Sequence, residues 1–323
     1  MRLDPASILL VVVVLAFAWS MGAHYTGACM GMPYASGSIR MWPALVLMAV
    51  LTFFGATLAS HRVELTVGHG IIDMRHVSLA AALVIVAAAF LLTTVYTYLR
   101  IPTSTIQILV FCVVGTGLAA GLPIHWATIL HLAVLWVLAP PAACGLGYVF
   151  THVIDALVPG ARRNVGGRSV LPVLLVVVGA AASFTMGAND VSNATGAFLM
   201  THLFGVLAAG VIGGVGLAVG VVTWGQPLIR KVAFDIVKVD LAMASAAQFV
   251  QAAVVLTAAT LGYFTSMNQA LVGAMAGTGL ARGRQTVQWP QVYGILRGWA
   301  IGPVSGLVLG FLIARAVGIF TPV

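Results

Sequence analysis

The sequence predicts an all-α, polytopic membrane protein built from two inverted repeats, each with a broken helix and a re-entrant half-helix. Three observations lead to this fold class: an apolar composition, a series of long apolar segments, and a motif pattern that occurs twice. Hydrophobic residues make up 61% of the 323 residues and charged residues only 7%. A soluble domain usually carries about 25% charged residues. Most of the surface of this chain is therefore expected to face lipid.

The apolar segments are long enough to cross a bilayer as helices, since about 20 residues span its hydrocarbon core. They cover approximately residues 7–19, 42–60, 77–99, 104–120, 126–150, 170–187, 197–224, 241–262, 266–281 and 291–315. The first follows Arg2 as a signal peptide would. It precedes a motif that the second half repeats, so we expect it to remain as a membrane helix.

The basic residues are distributed as in a membrane protein. The net charge is +8, and the 15 Lys and Arg lie mostly singly or in pairs at the ends of apolar segments. This pattern is typical of lipid headgroup contact and of the positive-inside rule, and it makes nucleic acid an improbable partner. The three cysteines lie in apolar or small-residue stretches, where they are expected to pack as small hydrophobic side chains.

The chain contains an internal duplication. Residues 103–121 align with residues 265–283 at an offset of 162, with 11 of 19 positions identical, including Thr-Ser-x-x-Gln and Gly-Thr-Gly-Leu-Ala. Met-Gly-Ala at 21–23 recurs at 186–188, at an offset of 165. We therefore divide the chain into a first membrane repeat (1–154), a central cytoplasmic linker (155–168) with three arginines, and a second membrane repeat (169–323). Duplicated bundles of this kind are common in secondary transporters.

The two Thr-Ser segments predict half-helices. The segment from Ser104 to Val114, before the Gly-Thr-Gly sequence, has eleven residues, and the segment from Ser266 to Ala276 has the same length. Such a helix is about 16 Å long, half of a hydrocarbon core of about 30 Å. Pro102 precedes the first helix, where its missing N–H costs nothing. Two facing N-termini would supply N–H groups and hydroxyls to a small oxyanion. Alternatively, these hydroxyls bond only to their own helices. The candidate anion ligands are Thr103, Ser104, Gln107, Thr265, Ser266, Asn268 and Gln269.

Asp190 is the only acid within an apolar stretch, since the other six acids fall at segment ends or in loops. An intramembrane carboxylate is costly and marks a candidate functional site. On a helix its oxygens would converge with those of Asn189 and Asn193. Oxygen ligands suit a hard cation such as Na⁺, and Asp190 alone could carry a proton. The alternative is a polar cluster that joins two helices.

The first half differs at the corresponding positions, because His24 and Tyr25 stand where Asn189 and Asp190 would be. His24 is a candidate proton carrier or a structural hydrogen-bonding residue. Gln248 and Gln251 lie in the middle of an apolar segment, where they line the pathway or pack helices together.

These motifs resemble those of the inorganic phosphate transporter (PiT) family. The resemblance covers nearly the whole chain. It is carried by Gly-Ala-Asn-Asp-Val-Ser-Asn-Ala at 187–194, by Pro-Thr-Ser-Thr at 102–105, more loosely by Thr265-Ser266, and by residues 62–73 and 270–283. It implies two inverted repeats, often dimeric, that move an inorganic oxyanion with Na⁺ or H⁺.

The resemblance also assigns ligands. It implies that cation ligands fall on Asn189, Asp190 and Asn193, and that anion ligands fall on Ser104, Thr105 and Ser266. The chain departs from the family where Gln107 and Gln269 replace histidines, where Ile106, Met267 and Asn268 replace hydroxyls, and where Tyr25 and Ala28 replace the first-half Asp and Asn.

Together these observations predict a permease for a small inorganic oxyanion in the bacterial inner membrane. A buried carboxylate accepts the proton of HPO₄²⁻ and repels sulfate. Loss of one carboxylate therefore favours sulfate slightly as the substrate. The resemblance to the family's bacterial sulfate permeases supports this preference. Phosphate is the alternative substrate. A more distant alternative function is an anion channel of the same fold. The motifs of a hydrolase or an ATP-driven pump do not occur, so we expect no enzymatic activity, and no cofactor beyond Na⁺ as a coupling ion.

Overall fold

The computed structural model describes residues 4–72, 77–99, 101, 103–158, 170–235, 240–287 and 289–319. Within these ranges the chain forms thirteen α-helices and one 3-10 turn at Arg284–Thr286, and it contains no strand. The helices are α1 (Pro5–His24), α2 (Thr26–Ala35), α3 (Met41–Ala59), α4 (His61–His69), α5 (Leu79–Tyr98), α6 (Thr105–Ala120), α7 (Trp126–Leu157), α8 (Leu171–Met200), α9 (Val206–Trp224), α10 (Gln226–Asp235), α11 (Leu241–Thr260), α12 (Met267–Arg282) and α13 (Trp289–Ala316).

Eight spans in the described part of the chain are long and apolar enough to cross a membrane. They are Pro5–Ala35, Met41–Ala59, Leu79–Tyr98, Trp126–Leu157, Leu171–Met200, Val206–Trp224, Leu241–Thr260 and Leu296–Ala316. The predicted multi-pass integral membrane protein is therefore confirmed.

The duplication is visible in the way that helices touch. A Cβ placed on Gly187 of α8 would overlap the Thr52 carbonyl oxygen of α3. At the same offset of 165, a Cβ on Gly22 of α1 would overlap the Leu217 carbonyl oxygen of α9. Each half thus packs the corresponding helix against a helix of the other half. Their inverted orientation in the membrane stays a prediction.

The broken helix occurs in only one half. In the first half, α1 ends at His24 and α2 begins at Thr26, with Tyr25 between them. In the second half, α8 runs without interruption from Leu171 to Met200, across the segment where the sequence suggested a boundary between 187 and 197. The expectation of a broken helix in each repeat is therefore wrong for the second repeat. Asp190 and Asn193 lie on one continuous helix.

The helices that follow the Thr-Ser segments are longer than predicted. Both α6 and α12 have 16 residues rather than eleven. The Gly-Thr-Gly sequences do not end them, because Gly115 and Gly277 are instead points where α6 and α12 touch the backbones of α13 and α7. A helix of 16 residues is about 24 Å long, still shorter than a hydrocarbon core of about 30 Å.

The end of α7 is tied to the second repeat by an ion-pair cluster. Arg282, at the end of α12, donates from Nη2 to Asp155 Oδ1 at 2.9 Å, from Nη1 to Asp155 Oδ2, and from Nε to Asp240 Oδ2 at 2.7 Å. Hydrogen bonds from the guanidinium to Asp155 and Asp240 stabilise its charged form and raise the pKa of Arg282 above its usual value. Residues 159–169 lie outside the described residues, so the linker at 155–168 stays a prediction apart from its first residues, which belong to α7.

Candidate functional site

Four separate segments of the chain meet at one buried polar cluster, which we call the central cluster. It comprises the α1–α2 junction, the residues that precede and begin α6 and α12, and the middle of α8. Its members are all at most 7% exposed. They are His24, Tyr25, Thr103, Ser104, Thr105, Asn189, Asp190, Asn193, Thr265, Ser266 and Asn268.

The start of each short helix is capped by its serine. Ser104 Oγ accepts from the Gln107 N–H at 3.4 Å, and Ser266 Oγ accepts from the Gln269 N–H at 3.3 Å. Capping uses the oxygen and leaves the hydroxyl hydrogen available as a donor. The first N–H groups of a helix also have no acceptor within that helix. Both helix starts therefore present donors to the central cluster.

Within the described part of the chain, the side-chain hydroxyls of two threonines beside these caps have no hydrogen-bond partner. Thr103 and Thr265 occupy equivalent positions in the two halves, and both side chains are 0% exposed. Neither Oγ1 atom makes a hydrogen bond within the protein. Buried hydroxyls normally have a hydrogen-bond partner. Two equivalent hydroxyls without one therefore indicate donors whose acceptor is a bound ligand.

Asn189 fastens α8 to the segment before α12. Its Nδ2 donates to the Thr265 carbonyl at 2.9 Å, and its Oδ1 accepts from the Thr265 N–H at 3.3 Å. Both ends of the amide are thus engaged. The structure therefore gives Asn189 a positioning contact, whereas the sequence suggested that its oxygen converges with those of Asp190 and Asn193.

Asp190 and Asn193 retain free oxygen atoms. Asn193 Nδ2 lies 3.5 Å from Asp190 Oδ1 and 3.3 Å from Thr105 Oγ1. Asp190 Oδ2 and Asn193 Oδ1 are buried without any hydrogen-bond partner. Two unpartnered oxygens, one of them from a carboxylate, are ligands of the type that a proton or Na⁺ requires. Within the described residues, His, Cys, Asp and Glu form no group of three that could hold a metal ion.

The α1–α2 junction contacts the cluster through Tyr25 and His24. The Tyr25 hydroxyl lies 2.7 Å from Thr105 Oγ1 and also interacts with Asp190. The Thr97 hydroxyl, 2.8 Å from His24 Nδ1, gives its own hydrogen to the Thr93 carbonyl. It therefore accepts from His24, whose Nε2 faces the Asn268 amide at 3.4 Å. All the ring nitrogens of His24 have partners, which favours the structural alternative for this residue.

The two predicted glutamine ligands have a different environment. Gln107 and Gln269 line a cavity of about 640 Å³ between α6, α7, α12 and α13. The cavity wall is mainly apolar and includes Trp136 and Trp299. Both Oε1 atoms are buried without a partner, and neither side chain makes a hydrogen bond to the central cluster. Asn268, by contrast, donates to the Thr103 carbonyl at 2.8 Å and thereby joins the two helix starts.

Gln248 and Gln251 pack helices together. Gln248 Nε2 donates to the Ala28 carbonyl of α2 at 2.9 Å and to Gln251 Oε1 at 2.7 Å. Gln251 Nε2 donates to the Met267 carbonyl at 3.4 Å. The packing alternative for these two residues agrees with these contacts.

Sequence reasoning missed Glu64. Its side chain is 0% exposed, although the sequence placed it among the acids at segment ends or in loops. The missed signal was the helical spacing of residues 61–69, because Glu64 lies beside Val63 and three residues before Val67, and both valines are buried.

Known proteins are similar to this chain over most of its length. Residues 21–310 match the model of the phosphate transporter family. The chain is 28% identical to the sulfate permease CysP of Bacillus subtilis, over 93% of this chain and 84% of that protein. It is 24% identical to a protein named as a phosphate permease from Pyrococcus furiosus, over 97% of this chain and 96% of that protein.

A solved structure described as the sodium-dependent phosphate transporter has the same fold. Its TM-score against this chain is 0.89, with 20% sequence identity, and the match covers 97% of this chain and 98% of that one. The likeness shows the fold.

Proposed function

This chain belongs to the phosphate transporter family, and from that premise we propose that it is a secondary active permease that moves an inorganic oxyanion together with H⁺ or Na⁺. One observation carries the proposal. The central cluster contains unpartnered donors, the Thr103 and Thr265 hydroxyls, beside unpartnered acceptors, Asp190 Oδ2 and Asn193 Oδ1. Donors of this kind bind an anion, and the acceptors bind a cation.

Charge balance explains why the two ions would travel together. The central cluster contains no Lys or Arg, and Asp190 is its one acidic residue. An anion that binds beside an ionised carboxylate is repelled strongly, because the local dielectric constant is low. A proton or Na⁺ on Asp190 removes that repulsion. Anion binding therefore depends on prior or simultaneous cation binding, which is the basis of symport.

We propose sulfate as the preferred substrate. Sulfate offers acceptors only, and the hydroxyls and helix N–H groups at the two helix starts are donors. In the first half, Tyr25 stands where a carboxylate would accept a hydrogen bond from HPO₄²⁻. A relative of similar length is named as a sulfate permease. Phosphate is the second candidate, because the free Asp190 Oδ2 can accept the hydrogen of HPO₄²⁻.

The burial of the central cluster supports a carrier rather than a channel. Ser104, Asp190 and Ser266 are at most 1% exposed, so neither face of the membrane has open access to them in this conformation. We place the carrier in the lipid bilayer of the bacterial inner membrane, as a homodimer, and assign it no enzymatic activity.

Uptake into proteoliposomes tests this function. Labelled sulfate and labelled phosphate are supplied separately, each with an imposed pH gradient or an imposed Na⁺ gradient. We expect saturable sulfate uptake that exceeds phosphate uptake and that one of the two gradients drives. If phosphate uptake exceeds sulfate uptake, the sulfate assignment is wrong but the proposed permease function stands. Absence of gradient-driven transport of either anion would overturn the function.

A further inference from the structure

Glu64 is a buried acid outside the central cluster. With Asp190, it is one of two acidic side chains that are 0% exposed among those that the structure describes. It belongs to α4, which lies outside the eight candidate membrane spans. The buried face of α4, with Val63, Glu64 and Val67, packs against α8, the helix that carries Asp190.

The hydrogen bonds of Thr195 indicate which form of Glu64 is present. Thr195 Oγ1 lies 2.9 Å from the Val191 carbonyl and 3.1 Å from Glu64 Oε1. A hydroxyl has one hydrogen, and a carbonyl can only accept. The Thr195 hydrogen can serve only one of these two oxygens, so both contacts are hydrogen bonds together only when Thr195 donates to Val191 and a protonated Glu64 carboxyl donates to Thr195 Oγ1.

Among the described residues, the helices that pack against α4 offer Glu64 no counterion for a carboxylate. Three helices pack against α4, namely α8, α9 and α11. The sequences of α9 and α11 contain no ionisable side chain, and that of α8 contains only Asp190. On α4 itself, His61 and Arg62 are exposed, and Arg62 donates to the Thr260 carbonyl at 3.0 Å. Glu64 Oε2 has no hydrogen-bond partner.

Burial therefore favours the neutral acid, and it raises the pKa of Glu64 to about 7. A pKa near neutral pH allows a group to take up and release a proton during a cycle. Hard cations take several oxygen ligands at once, whereas among the described residues the Glu64 carboxyl interacts with only two hydroxyls, those of Thr195 and Ser60. The site fits a proton better than Na⁺.

We propose that Glu64 is a second proton-binding site of the transport cycle, coupled to anion movement through its contact with α8. The proton is taken from water on one side of the membrane, forms an O–H bond on the carboxyl, and returns to water on the other side when that bond breaks. Thr195, the acceptor of this proton's hydrogen bond, lies five residues after Asp190 on the same helix, a rise of about 7.5 Å. This inference depends on the proposed permease function.

Measurement of the proton-to-anion ratio tests the proposal. Purified wild type and Glu64→Gln are reconstituted with labelled sulfate and an internal pH-sensitive dye, with the membrane potential clamped. For a gradient of one pH unit, each coupled proton contributes a factor of about ten to the accumulation ratio, because tenfold corresponds to about 1.4 kcal/mol. We expect Glu64→Gln to lose one proton per anion and about tenfold in accumulation. Anion exchange, which moves no net proton, should fall much less.

Two further variants serve as controls. Leu65→Gln places the same amide on the exposed side of α4 and should behave as wild type. Glu64→Asp keeps an acid and should keep the ratio, with a shifted pH profile. An unchanged ratio and accumulation in Glu64→Gln, or a wild type driven by Na⁺ without proton flux, would overturn the inference while the permease function stands. If wild type transports neither sulfate nor phosphate, both proposals fall.

An infrared measurement covers the case in which Glu64→Gln does not insert stably. The pH-difference spectrum of wild type should contain a protonated carboxyl band that is lost as pH rises through about 7. The band should move in Glu64→Asp and keep its position in Leu65→Gln. A band that is unchanged in Glu64→Asp would show that Glu64 does not hold this proton.

Discussion

The hydroxyl oxygens of Tyr25 and Thr105 lie 2.7 Å apart, which joins the α1–α2 junction to the start of α6. Tyr25 stands 165 residues before Asp190, at the repeat offset of the Met-Gly-Ala motif. A neutral phenol in the first half thus occupies the position that a carboxylate occupies in the second. The two halves of the central cluster therefore differ in charge, and they also differ in backbone, since the helix is interrupted at Tyr25 and continuous at Asp190.

Restoration of the first-half carboxylate should change substrate preference. In Tyr25→Asp with Ala28→Asn, a second carboxylate would repel sulfate and accept the proton of HPO₄²⁻. We expect the ratio of phosphate to sulfate uptake to rise at least fivefold over wild type, measured by competition in proteoliposomes. Tyr25→Phe, which removes the hydroxyl without adding charge, is the control and should leave the ratio unchanged. Equal ratios in all three proteins would contradict our explanation of substrate choice.

Asp190→Asn should abolish ion-driven uptake. The amide cannot bind a proton and is a weaker cation ligand, so neither gradient can be coupled to the anion. The protein should remain folded, since Asp190 Oδ2 has no hydrogen-bond partner and an asparagine can keep the long contact with Asn193 and the interaction with Tyr25. Uptake under each gradient and a thermal unfolding curve measure the two effects separately. Full gradient-driven uptake by this variant would show that coupling lies elsewhere.

Removal of the hydroxyls at the helix starts should weaken anion binding. Ser104→Ala, Ser266→Ala, Thr103→Val and Thr265→Val should each cost about 1–2 kcal/mol in anion binding, five- to thirtyfold in affinity. Isothermal titration with sulfate measures this. Thr151→Val is the matched control, because the Thr151 hydroxyl is also buried but bonds to the Gly147 carbonyl of its own helix. Unchanged affinity in all four variants would place the anion elsewhere.

Arg282→Gln should destabilise the protein without changing anion affinity. It leaves Asp155 and Asp240 without their shared guanidinium in a site where all three side chains are at most 20% exposed. Loss of one member of a buried pair costs about 3–5 kcal/mol, and partial exposure reduces that value. The unfolding temperature should fall by several degrees. Arg284→Gln, at an exposed position, is the control, and equal unfolding temperatures for the two variants would refute a stabilising role.

The free energy of unfolding should depend on pH through Glu64. Its pKa is raised from 4.5 to about 7 in the folded protein, so the folded state binds the proton more tightly than the unfolded state. This contribution is fully present below about pH 4.5 and is lost as pH rises through about 7. Unfolding temperatures measured in detergent from pH 5 to 8 should decline in wild type and decline less in Glu64→Gln. Identical slopes would indicate that Glu64 is ionised when folded.

The sequence predicted features that depend on local chemistry. The caps at Ser104 and Ser266 were predicted because a serine precedes each helix. The duplication was predicted because sequence motifs recur at a fixed offset. Both were found in the structure. Asp190 was identified because a carboxylate in an apolar run is costly wherever the helix packs.

Features that depend on tertiary contacts were not predictable. Gly115 and Gly277 suggested helix ends, but α6 and α12 continue through them, and both glycines are instead points where a neighbouring helix backbone comes close. Gln107 and Gln269 each lie three residues after a capping serine, which suggested that they bind the same ligand. In the helix, however, their side chains line the apolar cavity. Glu64 carried a signal in its helical spacing, but its burial depends on α8, a distant part of the chain.

The glycine contacts between helices restrict how the protein can move. Gly55 and Gly187 bring the backbones of α3 and α8 together, and Gly22 and Gly220 do the same for α1 and α9. Backbone in direct contact leaves no layer of side chains that could rearrange, so neither pair can shear without a collision or a void. A displacement of Asp190 must carry α3 with it, and a displacement of Tyr25 must carry α9. Gly210 of α9 meets the Ala56 carbonyl oxygen of α3 in the same way, so the two pairs are joined into one rigid body. Alternating access by the proposed permease must therefore arise from motion of other helices against this body.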